Sequence, residues 1–350
     1  MATFKVVLLE HGYPTTRIEQ DIVTAAGGEF LDADGLPREE ALRCSEDADA
    51  IAVRWLKVTP DLIQRFRRCK IILRYGVGTD NVDAPAATAA GILIGHVPFY
   101  CTEDVATHAI ALLLGCVRDL VPTHRKLAGG GWDVNPPDKI WRLSGRTLGL
   151  VGFGQIGQAV AHRLSGWGLT LLATDPFVEP ERAQALGVRL VELETLLRVS
   201  DYVSLHVPLL PETRHLINAS TLALVKPGAI LINTARGPVV DPNALLAALN
   251  DGRLASAGLD VFEEEPLSPD SPLRRHPRVV LTDHAAWYSE DSLAELKRTV
   301  AAEAVRVGTG QLPLAIANPE VLHRLGRFAE WTPNETARWQ LKRLKKLGLT

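Results

Sequence analysis

Cysteine is scarce in this chain. Four residues, Cys44, Cys69, Cys101 and Cys116, are scattered over 350 positions, and no Cys-x-x-Cys pair occurs. That pattern argues against a disulfide framework and fits a reduced, cytoplasmic setting. No metal centre is expected. Long hydrophobic runs are also missing. No stretch reaches the roughly 20 apolar residues that a bilayer span needs. Excess charge of one sign is absent too, since the formal net charge is −3. There is thus no electrostatic reason to expect nucleic acid or an anionic membrane as partner. The opening residues, Met1 to Glu10, hold a short apolar run before the charge at Glu10 and read as a first strand, not a signal peptide. Internal repeats and low-complexity blocks are lacking.

What is present is an ordinary globular composition, 46% apolar and 23% charged, at a length that allows two domains with separate cores. The first hundred residues alternate apolar runs (Lys5–Leu9, Ala50–Val53, Lys70–Leu73, Ile92–Ile94) with helix-like stretches such as Arg17–Ala26 and Pro60–Arg67. Strands separated by helices imply a parallel sheet with crossovers. A long helix is expected from Thr102 to Leu120, capped by Thr102, with Glu103 and Asp104 favourable against its dipole. Its apolar character nearly all round suggests burial between domains or subunits. Gly129-Gly130-Gly131 and Pro136-Pro137 mark a loop. A second series follows, with strands at Thr147–Val151, Leu169–Thr174, Tyr202–Val207, Ala229–Asn233, Ala257–Val261 and Val279–Leu281. Helices fit at Gln155–Ser165 and Pro242–Asp251, which makes a doubly wound pattern. A last helix runs from Ser289 to about Val307. Residues 319–350 form a basic extension (Arg338, Lys342, Arg343, Lys345, Lys346), whose charged face is expected to be solvated.

The turn Gly152-Phe153-Gly154-Gln155-Ile156-Gly157 follows the strand Thr147–Val151 directly and opens a helix. Alone, such a glycine pattern is a weak signal; this context makes it a dinucleotide site. Gly152 permits the sharp turn, Gly154 lets a pyrophosphate approach the backbone, and Gly157 lets helix and strand pack closely. Asp175 ends the next strand, where its carboxylate suits ribose hydroxyls and repels a 2′-phosphate. NAD is therefore expected over NADP.

Three further residues follow in order. Arg236 lies past the strand Ala229–Asn233, Glu265 lies in an acidic run before Pro266, and His284 follows Val279–Leu281. Each alone has an ordinary structural explanation: a surface ion pair, a solvated loop, a solvated histidine. Together they supply what reduction of a 2-oxo acid needs. Arg236 clamps the carboxylate and carbonyl, and His284 donates the proton. Glu265 would fix the imidazole tautomer and favour the imidazolium.

The segments Thr234-Ala235-Arg236-Gly237, Leu259–Pro266, His284-Ala285-Ala286-Trp287 and Gly76–Asp83 resemble the signatures of the D-isomer-specific 2-hydroxyacid dehydrogenase family. The resemblance covers roughly residues 4–318. It implies an α/β protein of two Rossmann-like domains, a flavodoxin-like substrate domain (1–100 and 290–318) and a doubly wound NAD-binding domain (101–289). A cleft between them and a homodimer are usual in that family. It implies catalytic roles for Arg236, Glu265 and His284, a carboxamide contact for Asp260, and cofactor contacts near Thr234 and Ala235. The Val77 and Gly78 N–H groups would bind the substrate carboxylate. The residues from His284 to Glu290 most resemble the branch containing C-terminal-binding proteins. Trp287 would wall the substrate pocket and favour an apolar or thioether side chain. Arg74 precedes the carboxylate loop as in that branch and in phosphoglycerate dehydrogenases. With Arg54 it would suit a phosphorylated or dicarboxylic substrate. Asp283 departs from the family's usual proline. The leading expectation is an NAD-dependent oxidoreductase of small D-2-hydroxy acids. The competing ones are an NAD(H)-responsive scaffold like the co-repressor relatives, and oxidation of another small anion such as formate or phosphite.

Overall fold

The computed structural model describes residues 3–134 and 140–327. Pro136-Pro137 and the basic residues from Arg338 to Lys346 lie outside the described residues. The chain divides into two compact units, Met1–Tyr100 with Ser289–Thr350, and Cys101–Tyr288.

The first unit is built on five strands, β1 (Lys5–Glu10), β2 (Glu29–Asp32), β3 (Ala50–Val53), β4 (Ile71–Arg74) and β5 (Leu93–Gly95). They pair in parallel in the order β2-β1-β3-β4-β5, the flavodoxin-like order. Every residue of Ala-Ile-Ala-Val in β3 is buried, as a strand covered on both faces requires. The helix Glu290–Gly308 packs on the helix Arg17–Ala25 and on β3 and β4, so the end of the chain completes the fold that its beginning started. Ser289 caps that helix in a reciprocal box with Ser292. Strand β2 escapes sequence reading because it is a half-exposed edge with little apolar alternation; pairing with β1 creates it.

The second unit carries β6 (Thr147–Val151), β7 (Thr170–Thr174), β8 (Val188–Leu190), β9 (Tyr202–Leu205), β10 (Ala229–Asn233), β11 (Leu254–Leu259) and β12 (Val279–Leu281). The order is β12-β11-β10-β9-β6-β7-β8, all parallel. Counted from β6 this is the dinucleotide-binding order 3-2-1-4-5-6 with a seventh strand added. The sheet reverses direction of winding between β6 and β9, and the glycine turn leaves β6 at that point.

Several boundaries differ from expectation. The long helix stops at Val117, Asp119 takes a left-handed φ of +50°, and a second helix runs Leu120–Ala128, bent by 62°. Pro122 is the cause: a continuous helix would need its missing N–H on the Arg118 carbonyl, and its ring would clash there. Thr102 is the first helical residue and Cys101 the cap, with no side-chain cap bond. Glu103 instead pairs with Arg163. Strand β11 ends at Leu259, not Val261, which releases Asp260 into the loop region at the carboxyl edge. No single described helix is long and apolar enough to cross a membrane.

Candidate active site

The glycine turn has the geometry its spacing demands. Gly152 has φ +91°, and a Cβ there would stand 2.7 Å from the His206 backbone. A Cβ on Gly157 would stand 2.5 Å from the Gly152 carbonyl oxygen, so helix and strand meet too closely for any side chain. A Cβ on Gly154 would meet no atom within 4 Å, and Gly154 gives the helix Gln155–Arg163 no side-chain cap. The N–H groups at the start of that helix, Gln155 and Ile156 included, suit a phosphate. Asp175 follows β7. Its Oδ2 accepts the Phe153 N–H and its Oδ1 the Phe177 N–H, both at 2.9 Å. A carboxylate has about four acceptor positions, so ribose hydroxyls retain a place. The Thr234 hydroxyl, at the end of β10, is buried without a hydrogen-bond partner. These residues fit a dinucleotide.

Arg236, Glu265 and His284 sit on loops after β10, β11 and β12, which are neighbours in one sheet. His284 Nδ1 lies 2.6 Å from Glu265 Oε2, with side chains 21% and 31% exposed. Because a carboxylate only accepts, Nδ1 carries the proton in this pair. Burial pushes the Glu265 carboxyl up, but the His284 hydrogen bond and charge, the Phe262 N–H and Arg236 outweigh it. The group lies below its ordinary value of 4.5, and the carboxylate persists to more acid pH. The acidic run divides by role. Glu263 binds Arg214 at 2.5 Å and His215 at 3.2 Å, Glu264 is exposed, and Glu265 reaches the histidine. Arg236 Nη1 donates to the Ala235 carbonyl at 2.7 Å.

Asn233 was not singled out in the sequence. It is 1% exposed. Its Oδ1 accepts the Ala235 N–H and its Nδ2 donates to the Arg236 carbonyl, both at 3.0 Å, so it shapes the loop that carries the arginine. Gly237 abuts the Phe262 backbone so tightly that a Cβ would overlap it. The one visible hint for Asn233 is a polar residue closing an apolar strand. Asp260 is buried and bonded to Thr282, Ala285 and Ala286, which leaves its carboxylate about one acceptor position for any carboxamide. Trp287 packs edge-on against Tyr288, with centroids 5.4 Å apart. Asp283 is exposed.

Arg74, Val77 and Gly78 belong to the first unit, at the carboxyl edge of β4. Gly76 has φ +140°, and a Cβ there would overlap the Arg74 guanidinium. His96 Nδ1 lies 2.8 Å from the Val77 carbonyl and donates to it. Arg54 and Arg74 both stand over the Trp55 ring, at 5.0 and 5.6 Å from its centroid.

Residues 110–286, half of the chain, match the family described as D-isomer specific 2-hydroxyacid dehydrogenase, NAD binding domain. The chain belongs to this family, and its cofactor is NAD. It is 39% identical over 293 residues to a D-3-phosphoglycerate dehydrogenase of Methanocaldococcus jannaschii, covering 83% of this chain and 56% of that one. A glyoxylate reductase of Korarchaeum cryptofilum is 40% identical over 281 residues, 79% of this chain and 85% of its own length. Among solved structures, a D-lactate dehydrogenase from Aquifex aeolicus complexed with NAD and lactic acid superimposes with a TM-score of 0.79. It is 29% identical and covers 90% of this chain and 99% of its own. These similarities establish the family, not the C-terminal-binding-protein-like branch expected from the residues around Trp287.

Proposed function

We propose that this protein reduces small 2-oxo acids to D-2-hydroxy acids with NADH. The observation that carries the reading is the 2.6 Å His284–Glu265 contact on the loops of the NAD-binding unit, beside the loop of Arg236. Bound NADH supplies a hydride. The rest falls to the chain. Glu265 holds the proton on His284 Nδ1, which leaves Nε2 as the atom that gives a proton to the developing alkoxide. Arg236 presents a planar guanidinium to the carboxylate and carbonyl oxygens. Thr234, Ala235 and Asp260 would hold the cofactor's nicotinamide end, and the Gly152–Gly157 turn would hold its pyrophosphate. Val77 and Gly78 offer backbone N–H groups to the substrate carboxylate, and Trp287 walls the side-chain pocket. Asp175 selects NAD over NADP by its charge. Turnover with NADH and a panel of glyoxylate, pyruvate, hydroxypyruvate and oxaloacetate tests the reading. His284→Ala is expected to lower kcat by about 10²–10⁴-fold with NADH affinity retained. Near-normal turnover by the variant removes His284 from the mechanism.

Arg54 and Arg74, gathered on one tryptophan ring, favour a second reading: a phosphoglycerate-type substrate with an added anionic group. The protein also acts as a homodimer in this reading. The helix Leu120–Ala128 buries none of its residues, and Leu120, Leu127, Trp132 and Trp141 are exposed, an apolar surface of the kind that marks a contact site.

A further inference from the structure

We infer that His108 and Thr282 are positioning residues for the catalytic histidine and act on it through Asp260. The inference rests on the proposed reaction, since the residue positioned is that reaction's proton donor. His284 has a left-handed backbone, φ +59°. For a non-glycine residue this conformation is sparsely populated and costs about 1 kcal/mol or more. It persists only where the surroundings over-determine it, and here the surroundings are Asp260. The Asp260 carbonyl accepts the His284 N–H at 2.8 Å. Its Oδ1 accepts the Ala285 N–H at 2.9 Å and its Oδ2 the Ala286 N–H at 3.0 Å. Three successive N–H groups therefore close on one residue, the first on its backbone carbonyl and the next two on its carboxylate.

Asp260 is 1% exposed, and a buried carboxylate is costly unless it is compensated. Two backbone N–H groups supply part of this. The Thr282 hydroxyl supplies more, donating to Oδ1 at 2.6 Å. A hydroxyl has one proton, and this bond uses it. Thr282 Oγ1 must then accept in its 3.0 Å contact with His108 Nε2. That settles the His108 tautomer, with the proton on Nε2, and puts this N–H 3.6 Å from Asp260 Oδ1. His108 stands on the helix Thr102–Val117, a 16-residue helix whose buried side includes Val105, Ala109, Leu112 and Leu113. The chain His108, Thr282, Asp260 thus anchors the strained loop of His284 to a rigid helix. None of the three touches the reacting atoms in this role.

The test uses Thr282→Val, which keeps the shape and removes the hydroxyl, with Thr282→Ser as the conservative variant and His108→Leu as an independent break. Expected for Thr282→Val and His108→Leu is a kcat lowered about 10–100-fold on the best 2-oxo acid, with KM for NADH little changed. Thr282→Ser restores kcat. In the cofactor-free protein, amide exchange at Ala285 and Ala286 quickens in Thr282→Val and His108→Leu and returns toward wild type in Thr282→Ser. Unchanged exchange at these amides overturns the inference, as does unchanged kcat. So does a raised KM for NADH at constant kcat, which would make the chain a cofactor-binding device. A wild-type protein that turns over no 2-oxo acid sinks the proposed reaction instead, and the exchange measurement still decides whether the anchor exists.

Discussion

At the scale of single residues, charge and burial decide what each side chain does. Two histidines make the contrast. His284 keeps a carboxylate partner, and its side chain is 21% exposed. His96 is buried, and burial pushes it from an ordinary 6.5 down to about 4, with help from the Arg74 charge. It is therefore neutral, with its Nδ1 proton on the Val77 carbonyl, and it shapes the loop proposed to take the substrate carboxylate. The pH consequence has a definite sign. The unfolded chain binds this proton from about pH 6.5 downward, the folded chain only near 4. His96 therefore lowers stability as pH falls through that window, by up to roughly 3 kcal/mol in all. Urea unfolding of the wild type at pH 7, 6, 5 and 4 should show the decline, and His96→Gln should make it shallower, leaving the share of His206, which burial also pushes down to about 4. An equal slope in the variant would assign the decline to other groups. The residues at 236, 265 and 284 stood out in the sequence because reduction of an oxo acid would demand such groups. The backbone strain at His284 was not, because φ is imposed by Asp260 across a gap of 24 positions.

At the scale of elements, the apolar runs were the dependable signal. Strands β3, β6 and β10 begin and end where expected, because a strand buried on both faces carries a nearly continuous apolar run. The edges β2 and β8 were missed for the same reason reversed. Their faces are half open, so pairing, not composition, makes them strands. The loops after β10 and β11 are a single mechanical piece, since Gly237 lies against the Phe262 backbone and Phe262 N–H in turn holds Glu265 Oε1 at 2.9 Å. Gly237→Ala should force the two loops apart, at a cost of about 1–3 kcal/mol of overpacking. It should lower kcat together with Tm, although residue 237 bears no chemistry. Thermal unfolding and turnover of the variant check this; a normal Tm with normal kcat would show that the loops are not coupled there.

At the scale of the whole molecule, ligand and partner copies enter. A dinucleotide that binds only the folded state stabilises it by mass action, about 2.7 kcal/mol at a concentration 100 times Kd. NAD should therefore raise Tm at concentrations where NADP does not, and Asp175→Ala should narrow the gap. An unchanged difference between the two cofactors would take Asp175 out of the discrimination, leaving it as a brace for the Phe153 and Phe177 amides. The exposed apolar surface of the helix Leu120–Ala128 gives the last expectation. Leu127→Glu places a charge on a side chain 56% exposed in the single chain, so the fold should be unharmed while light scattering falls from dimer to monomer mass. A wild type that is already monomeric would exclude the dimer.

The sequence by itself determined the α/β class, the strand cores and the glycine turn, and it singled out Arg236, Glu265 and His284 as candidates. Each depends on local pattern or on residue type, which the order of amino acids states directly. Only the tertiary structure decided that Asn233 shapes the arginine loop, that Glu263 and Glu265 do different work, and that His108 reaches Thr282 across 174 positions. The Asn233 bonds are local; for the glutamates and His108 the physical reason is that these are hydrogen bonds between residues remote in sequence. Their partners are chosen by the register of β10, β11 and β12, and that register exists only once the sheet has formed.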